Sequence, residues 1–137
     1  MKKLFLMLLA LGAVGLSACG IQSDSDDTAS QPEKVTYISV SGKEAKQKME
    51  TEKDYIILDV RTQEEFDEGH IPGAVLIPDY EIQQRAEKEL TDKNQLILVY
   101  CRSGRRSKLA AQALADMGYT NVTEFGGIID WEYETEK

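Results

Sequence analysis

Two runs, Tyr55-Ile-Ile-Leu-Asp-Val60 and Gln95-Leu-Ile-Leu-Val-Tyr100, are apolar almost without a break. A strand with one wet face alternates apolar with polar residues; a strand covered on both faces does not. Both runs therefore read as interior strands of a sheet with helices on each side. The second is the more apolar and the more central.

The rest of the chain supplies those helices. Ser41-Gly-Lys-Glu44 has the form of a capping box and predicts a helix to about Thr51; Thr62-Gln-Glu-Glu65 is a second box, with Gly69 as its stop. Ile82, Ala86 and Leu90 share one face of a helix across Asp79–Leu90, and Ser107–Met117 is rich in Ala and Leu, with Gly118 placed to end it. Val35–Val40, Ala74–Ile77 and Asn121–Phe125 read as further short strands, Gly126-Gly127 as a turn and Ile128–Tyr133 as a short terminal helix. Strands alternating with helices imply an α/β fold with a mainly parallel sheet. In such sheets ligands sit beyond the carboxyl ends of the strands.

The first residues read differently. Met1-Lys2-Lys3 is basic, and Leu4–Leu16 is apolar or small throughout, too short for an ordinary membrane span. The run closes in Leu16-Ser17-Ala18-Cys19-Gly20, which resembles the lipobox of bacterial lipoprotein signals. That resemblance implies cleavage after residue 18, acylation of Cys19 and a lipid-anchored protein on the outer side of a bacterial membrane, in the cell envelope. Residues 19–34 then form a tether, polar and rich in Ser and Asp, leaving residues 35–137 as one folded domain.

Charge and composition remove several classes. A formal net charge of −8 argues against nucleic acid as a partner. With one His and two Cys in 137 residues, a zinc site of Cys and His lacks its usual four ligands, and no metal is expected. If Cys19 carries lipid, Cys101 has no disulfide partner within the chain. It is then either an inert buried thiol or one kept for its reactivity.

Its surroundings favour reactivity. Cys101-Arg-Ser-Gly-Arg-Arg-Ser107 joins the most apolar strand to a helix. Backbone N–H groups at such a junction can turn inward as an anion cradle, and Gly104 permits the turn. Arg102, Arg105 and Arg106 add positive charge, which favours thiolate over thiol.

This loop resembles the active-site loop of the rhodanese-like (sulfurtransferase) family. Leu58-Asp-Val-Arg61, Glu64-Glu-Phe66 and Gly69-His-Ile-Pro-Gly-Ala74 resemble that family's upstream signature, and Gly126-Gly127 with Trp131 its closing motif. The resemblance spans Val35–Trp131 and implies a single rhodanese-like domain with a five-stranded, mainly parallel sheet flanked by helices. It also implies a Cys101 persulfide, formed from a small anionic donor such as thiosulfate and discharged to a thiol or cyanide. A protein is a further possible acceptor, and no cofactor is implied. Arg102, Ser103, Gly104, Arg105, Arg106 and Ser107 would bind substrate. A persulfide carrier or partner-binding module with little turnover is the alternative. The related phosphatases and arsenate reductases carry Cys-x5-Arg, whereas Arg106 stands here at Cys-x4-Arg, a cradle fitted to one sulfur atom.

Asp59 and Arg61 fall at the same sheet edge as support. Asp59 is expected to pair with Arg106; Arg61 is equally placed for Glu64 or Glu65. Ser107 reads as a helix cap in preference to a donor to the sulfur. His70 reads as structural, and Tyr100 should point away from the nucleophile.

Overall fold

The computed structural model describes residues 34–137. The lipid-signal and Cys19 expectations lie outside them, as does the tether up to its last residue, Lys34.

The chain runs β1 (Ile38–Ser39), α1 (Gly42–Thr51), β2 (Tyr55–Asp59), α2 (Gln63–Glu68), β3 (Val75–Leu76), α3 (Ile82–Glu89), β4 (Leu96–Cys101), α4 (Arg105–Asp116) and β5 (Val122–Gly127). The five strands form one sheet in the order β1-β5-β4-β2-β3, every pair parallel. The continuous apolar runs take the inner positions. Every residue of β4 is buried, as a strand covered on both faces requires.

Both capping boxes form. Ser41 accepts from the Glu44 N–H while Glu44 reaches back to the Ser41 N–H, and Thr62 and Glu65 repeat the exchange. Each such cap contributes about 1 kcal/mol to its helix.

Side chains alternate across the sheet and divide the core in two. Leu58, Val60, Ile97, Val99 and Cys101 face α3 and α4. Ile57, Leu98, Tyr100 and Phe125 face α1, Ile71 and Trp131. Tyr100 thus leaves its own strand on the side opposite Cys101.

Several boundaries differ from expectation: β3 keeps only Val75–Leu76 of Ala74–Ile77, and Asp79–Glu81 is a 3-10 turn ahead of α3. β1 keeps only Ile38–Ser39 of Val35–Val40, because it lies at the sheet edge, paired among the described residues with β5 alone. Gly126-Gly127 is not a turn but the end of β5, with Gly127 opposite Cys101. The terminal helix is one 3-10 turn, Ile128–Asp130, after which the Trp131 backbone is extended. α4 starts at Arg105, two residues before Ser107, because Gly104 adopts φ 102° and opens the helix there.

Candidate functional site

Cys101 is the last residue of β4 and is 1% exposed. The Gly104 N–H donates to its sulfur at 3.0 Å, the only backbone donor to it among the described residues. The left-handed Gly104 conformation aims that N–H inward, and α4 begins immediately after it. The sulfur therefore lies at a helix N-terminus, where partial positive charge favours an anion. Its other polar neighbour is the Ser107 hydroxyl at 3.4 Å.

Ser107 does not cap α4. With Gly104 at the N-cap it lies inside the first turn, and its hydroxyl points down to the sheet. It donates to the Glu124 carboxylate at 2.7 Å, with the Gly104 carbonyl at 3.0 Å as a second acceptor. Glu124 is 1% exposed in the middle of β5 and also accepts from the Gly126 N–H at 2.7 Å and the Ser39 hydroxyl at 2.9 Å. Glu124 carries no local sequence signal, because Asn121-Val-Thr-Glu-Phe125 reads only as a short strand.

The loop's three arginines divide. Arg102 and Arg105 are exposed and have no carboxylate within ion-pair distance among the described residues. Ser103 is exposed beside them. Arg106 instead makes a two-pronged pair with Glu65, at 2.7 and 2.9 Å. Glu65 thus closes the α2 capping box and fastens the loop at once. The expected Asp59–Arg106 pair is absent, because Asp59 projects to the Tyr100 side of the sheet.

Asp59 is fully buried there and takes Arg61 as partner. It accepts from the Arg61 N–H at 2.9 Å, from Nε at 3.0 Å and from Nη2 at 2.7 Å, and from the Tyr100 hydroxyl at 2.7 Å. Arg61 also donates to the Gly69 carbonyl at 2.7 Å. Neither Glu64 nor Glu65 is its partner. Burial, with the Asp59 charge beside it, pushes the Tyr100 phenol well above its ordinary value, so it stays protonated and donates. His70 lies apart from the sulfur, stacked on Phe66, with Nδ1 on the Phe66 carbonyl and Nε2 3.3 Å from Glu136.

The Arg106 hydrogen bonds, and then the Thr62 N–H, hold the Glu65 carboxyl at about 2, below its ordinary 4.5. A lowered carboxylate stabilises the fold above its unfolded value, and that contribution is lost as pH falls from about 4.5 towards about 2. Glu65→Gln should cost about 1 kcal/mol at pH 7, since both side chains are partly exposed and water screens the pair. The wild-type advantage should vanish in urea titrations taken below that window. An unchanged difference at low pH would show that the ion pair is not its source.

The loop also depends on β5. A Cβ on Gly127 would stand 1.9 Å from the Arg102 carbonyl oxygen and 2.5 Å from the Ser103 nitrogen. The Arg102 carbonyl accepts from the Ile129 N–H at 3.2 Å. A cavity of about 430 Å3 among Val40, Gly42, Phe125, Gly127 and Tyr133 borders the same glycines but does not include the sulfur. No group of His, Cys, Asp or Glu among the described residues is arranged to hold a metal.

Residues 41–134 match the rhodanese-like domain family. A putative sulfur carrier protein, YrkF of Bacillus subtilis, is 36% identical over 118 residues, covering 85% of this chain and 60% of its own length. Thiosulfate sulfurtransferase PspE of Escherichia coli is 41% identical over 73 residues, covering 53% of this chain and 70% of its own. Among solved structures, a rhodanese with anions from E. coli superposes with a TM-score of 0.58 at 37% identity, over 61% of this chain and 98% of that one. A rhodanese-like domain from Anabaena gives 0.66 at 30%, over 72% and 77%. The chain spans less than two-thirds of the length of YrkF.

Proposed function

We propose that this chain, which belongs to the rhodanese-like domain family, moves sulfane sulfur through a persulfide on Cys101. Its relatives support sulfur transfer or carriage as the class of function. The observation that carries the specific reading is a sulfur held at the end of the central strand with the Gly104 N–H aimed at it at 3.0 Å. The Cys101 thiolate attacks the outer sulfur of thiosulfate, the S–S bond of the donor breaks, and sulfite leaves with the bonding pair. An acceptor such as cyanide then takes the terminal sulfur as thiocyanate and returns the thiolate to Cys101. This is two-step covalent catalysis. Arg102 and Arg105, without a carboxylate partner among the described residues, draw the anionic donor toward a site on an otherwise acidic protein. Arg106 shapes the loop from its place on Glu65.

A carrier role is favoured by the depth of the sulfur, 1% exposed, and by the likeness to a protein named as a putative carrier. The test is incubation with thiosulfate followed by the mass of the Cys101 peptide, with Cys101→Ser alongside. A gain of one sulfur on the wild type alone is expected. Rapid discharge to cyanide supports the enzyme, and slow discharge that a specific thiol accelerates supports the carrier. No gain from thiosulfate would sink the donor assignment.

We further propose, from Leu16-Ser17-Ala18-Cys19, that the domain is exported and held in the cell envelope by lipid on Cys19. Fatty-acid labelling that persists in Cys19→Ala would sink this.

A further inference from the structure

Sulfur transfer as derived above makes no use of Glu124, a buried ionisable side chain one hydroxyl away from the sulfur. Its carboxylate has three donors around it: the Gly126 N–H, the Ser39 hydroxyl and the Ser107 hydroxyl, at 2.7, 2.9 and 2.7 Å. The Gly126 N–H can only donate, so a Glu124 oxygen is its acceptor. Ser107 has one proton to give. The short contact to a charged acceptor outcompetes the Gly104 carbonyl at 3.0 Å. With its proton committed downward, Ser107 presents a lone pair to the sulfur 3.4 Å away, and the Cys101 S–H donates to it.

We propose that Glu124 is a positioning residue for Cys101, acting through Ser107: it draws the serine proton away from the sulfur, so that the hydroxyl meets Cys101 with a lone pair and not as a donor. This rests on Cys101 being the sulfur-carrying nucleophile. The other charged groups near the sulfur are Arg106 on α4, with its partner Glu65 on α2 and with Asp79 nearby, and the exposed Arg102 and Arg105. These arginines and the Gly104 N–H favour an anion at the mouth of the site; Glu124 opposes one at its floor. A persulfide puts its charge on the outer sulfur, one bond farther from the carboxylate. The arrangement therefore discriminates between the two forms of the same residue.

The test uses the full chain and iodoacetamide, with alkylation followed on the Cys101 peptide from pH 5 to pH 10. A carboxylate at this range moves a neighbouring ionisation by about one pH unit. Glu124→Gln keeps the acceptor for Ser107 and Gly126 but removes the charge. Its half-maximal pH should fall by about one unit relative to wild type, and Cys101 should react about tenfold faster at neutral pH. Ser107→Ala should move the profile in the same direction by less. An unmoved Glu124→Gln profile would make the carboxylate merely structural, and an upward shift would make it a proton acceptor. An upward shift in Ser107→Ala would show that the serine donates to the sulfur. Each of these overturns the proposal.

Should the variants fold poorly, the wild type decides alone. The infrared difference between wild type and Cys101→Ser at neutral pH should contain a hydrogen-bonded S–H stretch, and its absence would overturn the proposal. Alkylation needs no sulfur donor. A wild type that takes no sulfur from thiosulfate sinks the donor assignment and leaves this measurement standing.

Discussion

Gly127→Ala is expected to lower thiosulfate-dependent sulfur transfer by at least about 100-fold. The backbone of Gly127 is extended, with φ −129°, so an alanine adopts it without strain. The difficulty lies across the gap. Its methyl would stand 1.9 Å from the Arg102 carbonyl oxygen, 2.3 Å from the carbonyl carbon and 2.5 Å from the Ser103 nitrogen. These are backbone atoms of the loop itself, and no rotamer change relieves them. The loop must lift by more than about 1 Å, a displacement that costs catalysis roughly two orders of magnitude. It also releases the Arg102–Ile129 hydrogen bond and re-aims the Gly104 N–H. Overpacking should cost about 1–3 kcal/mol of stability as well. Gly42→Ala is the control. A methyl there meets only Trp131 at 3.5 Å, an ordinary contact, and activity should persist. Near-wild-type turnover in Gly127→Ala would mean that the loop position does not govern the chemistry.

Arg61→Ala is the second large effect, and it falls on stability. Asp59 and Arg61 are 0% and 5% exposed, and the guanidinium supplies most of the carboxylate's hydrogen bonds. Removing one partner of a buried pair leaves the other charged and unpaired, at a cost of about 3–5 kcal/mol. Loss of the bond to the Gly69 carbonyl adds to this and loosens the end of α2. Tyr100→Phe removes two hydrogen bonds, the one its hydroxyl donates to Asp59 and the one it accepts from the buried Ile71 N–H at 3.1 Å, and should cost about 2–3 kcal/mol. The network lies on the face of the sheet away from the sulfur. Cys101 alkylation in folded Arg61→Ala should therefore keep the wild-type pH profile. A loss below about 1 kcal/mol in urea unfolding would show that water reaches Asp59.

The sequence displays these features unequally. Periodicity and caps are local, and the interior strands, both capping boxes and the Cys101 loop follow from neighbouring residues alone. Edges depend on what lies beside them. β1 shrinks to Ile38–Ser39 because among the described residues β5 alone pairs with it, and the Gly126-Gly127 pair, which looks like a turn, instead ends a strand. Partner choice is the least local property. Asp59 carries the charge to hold Arg106, but the alternation of side chains sends it to the other face, where Arg61 doubles back to meet it. Glu65 is visible as a cap, and its second task needs α4 to arrive beside α2. Nothing around Glu124 in the chain marks it as the floor of the site, because Ser107 and Ser39 reach it from distant segments.

The strand order β1-β5-β4-β2-β3 has a consequence for how the protein acquires its chemistry. β5 is the last strand in the chain but sits between β1 and β4. As the chain emerges from its N-terminus onward, residues up to α4 can assemble β4, β2 and β3, and β1 must wait for β5. The wall behind the loop, from Glu124 to Gly127, waits with it. Cys101 is thus made early and enclosed late, and such long-range closure is the slow part of folding. During that interval its thiol is open to oxidants and to other thiols, without the environment that later governs it. Handling of the unfinished chain, and not only the finished fold, decides how much of the protein emerges with a usable sulfur.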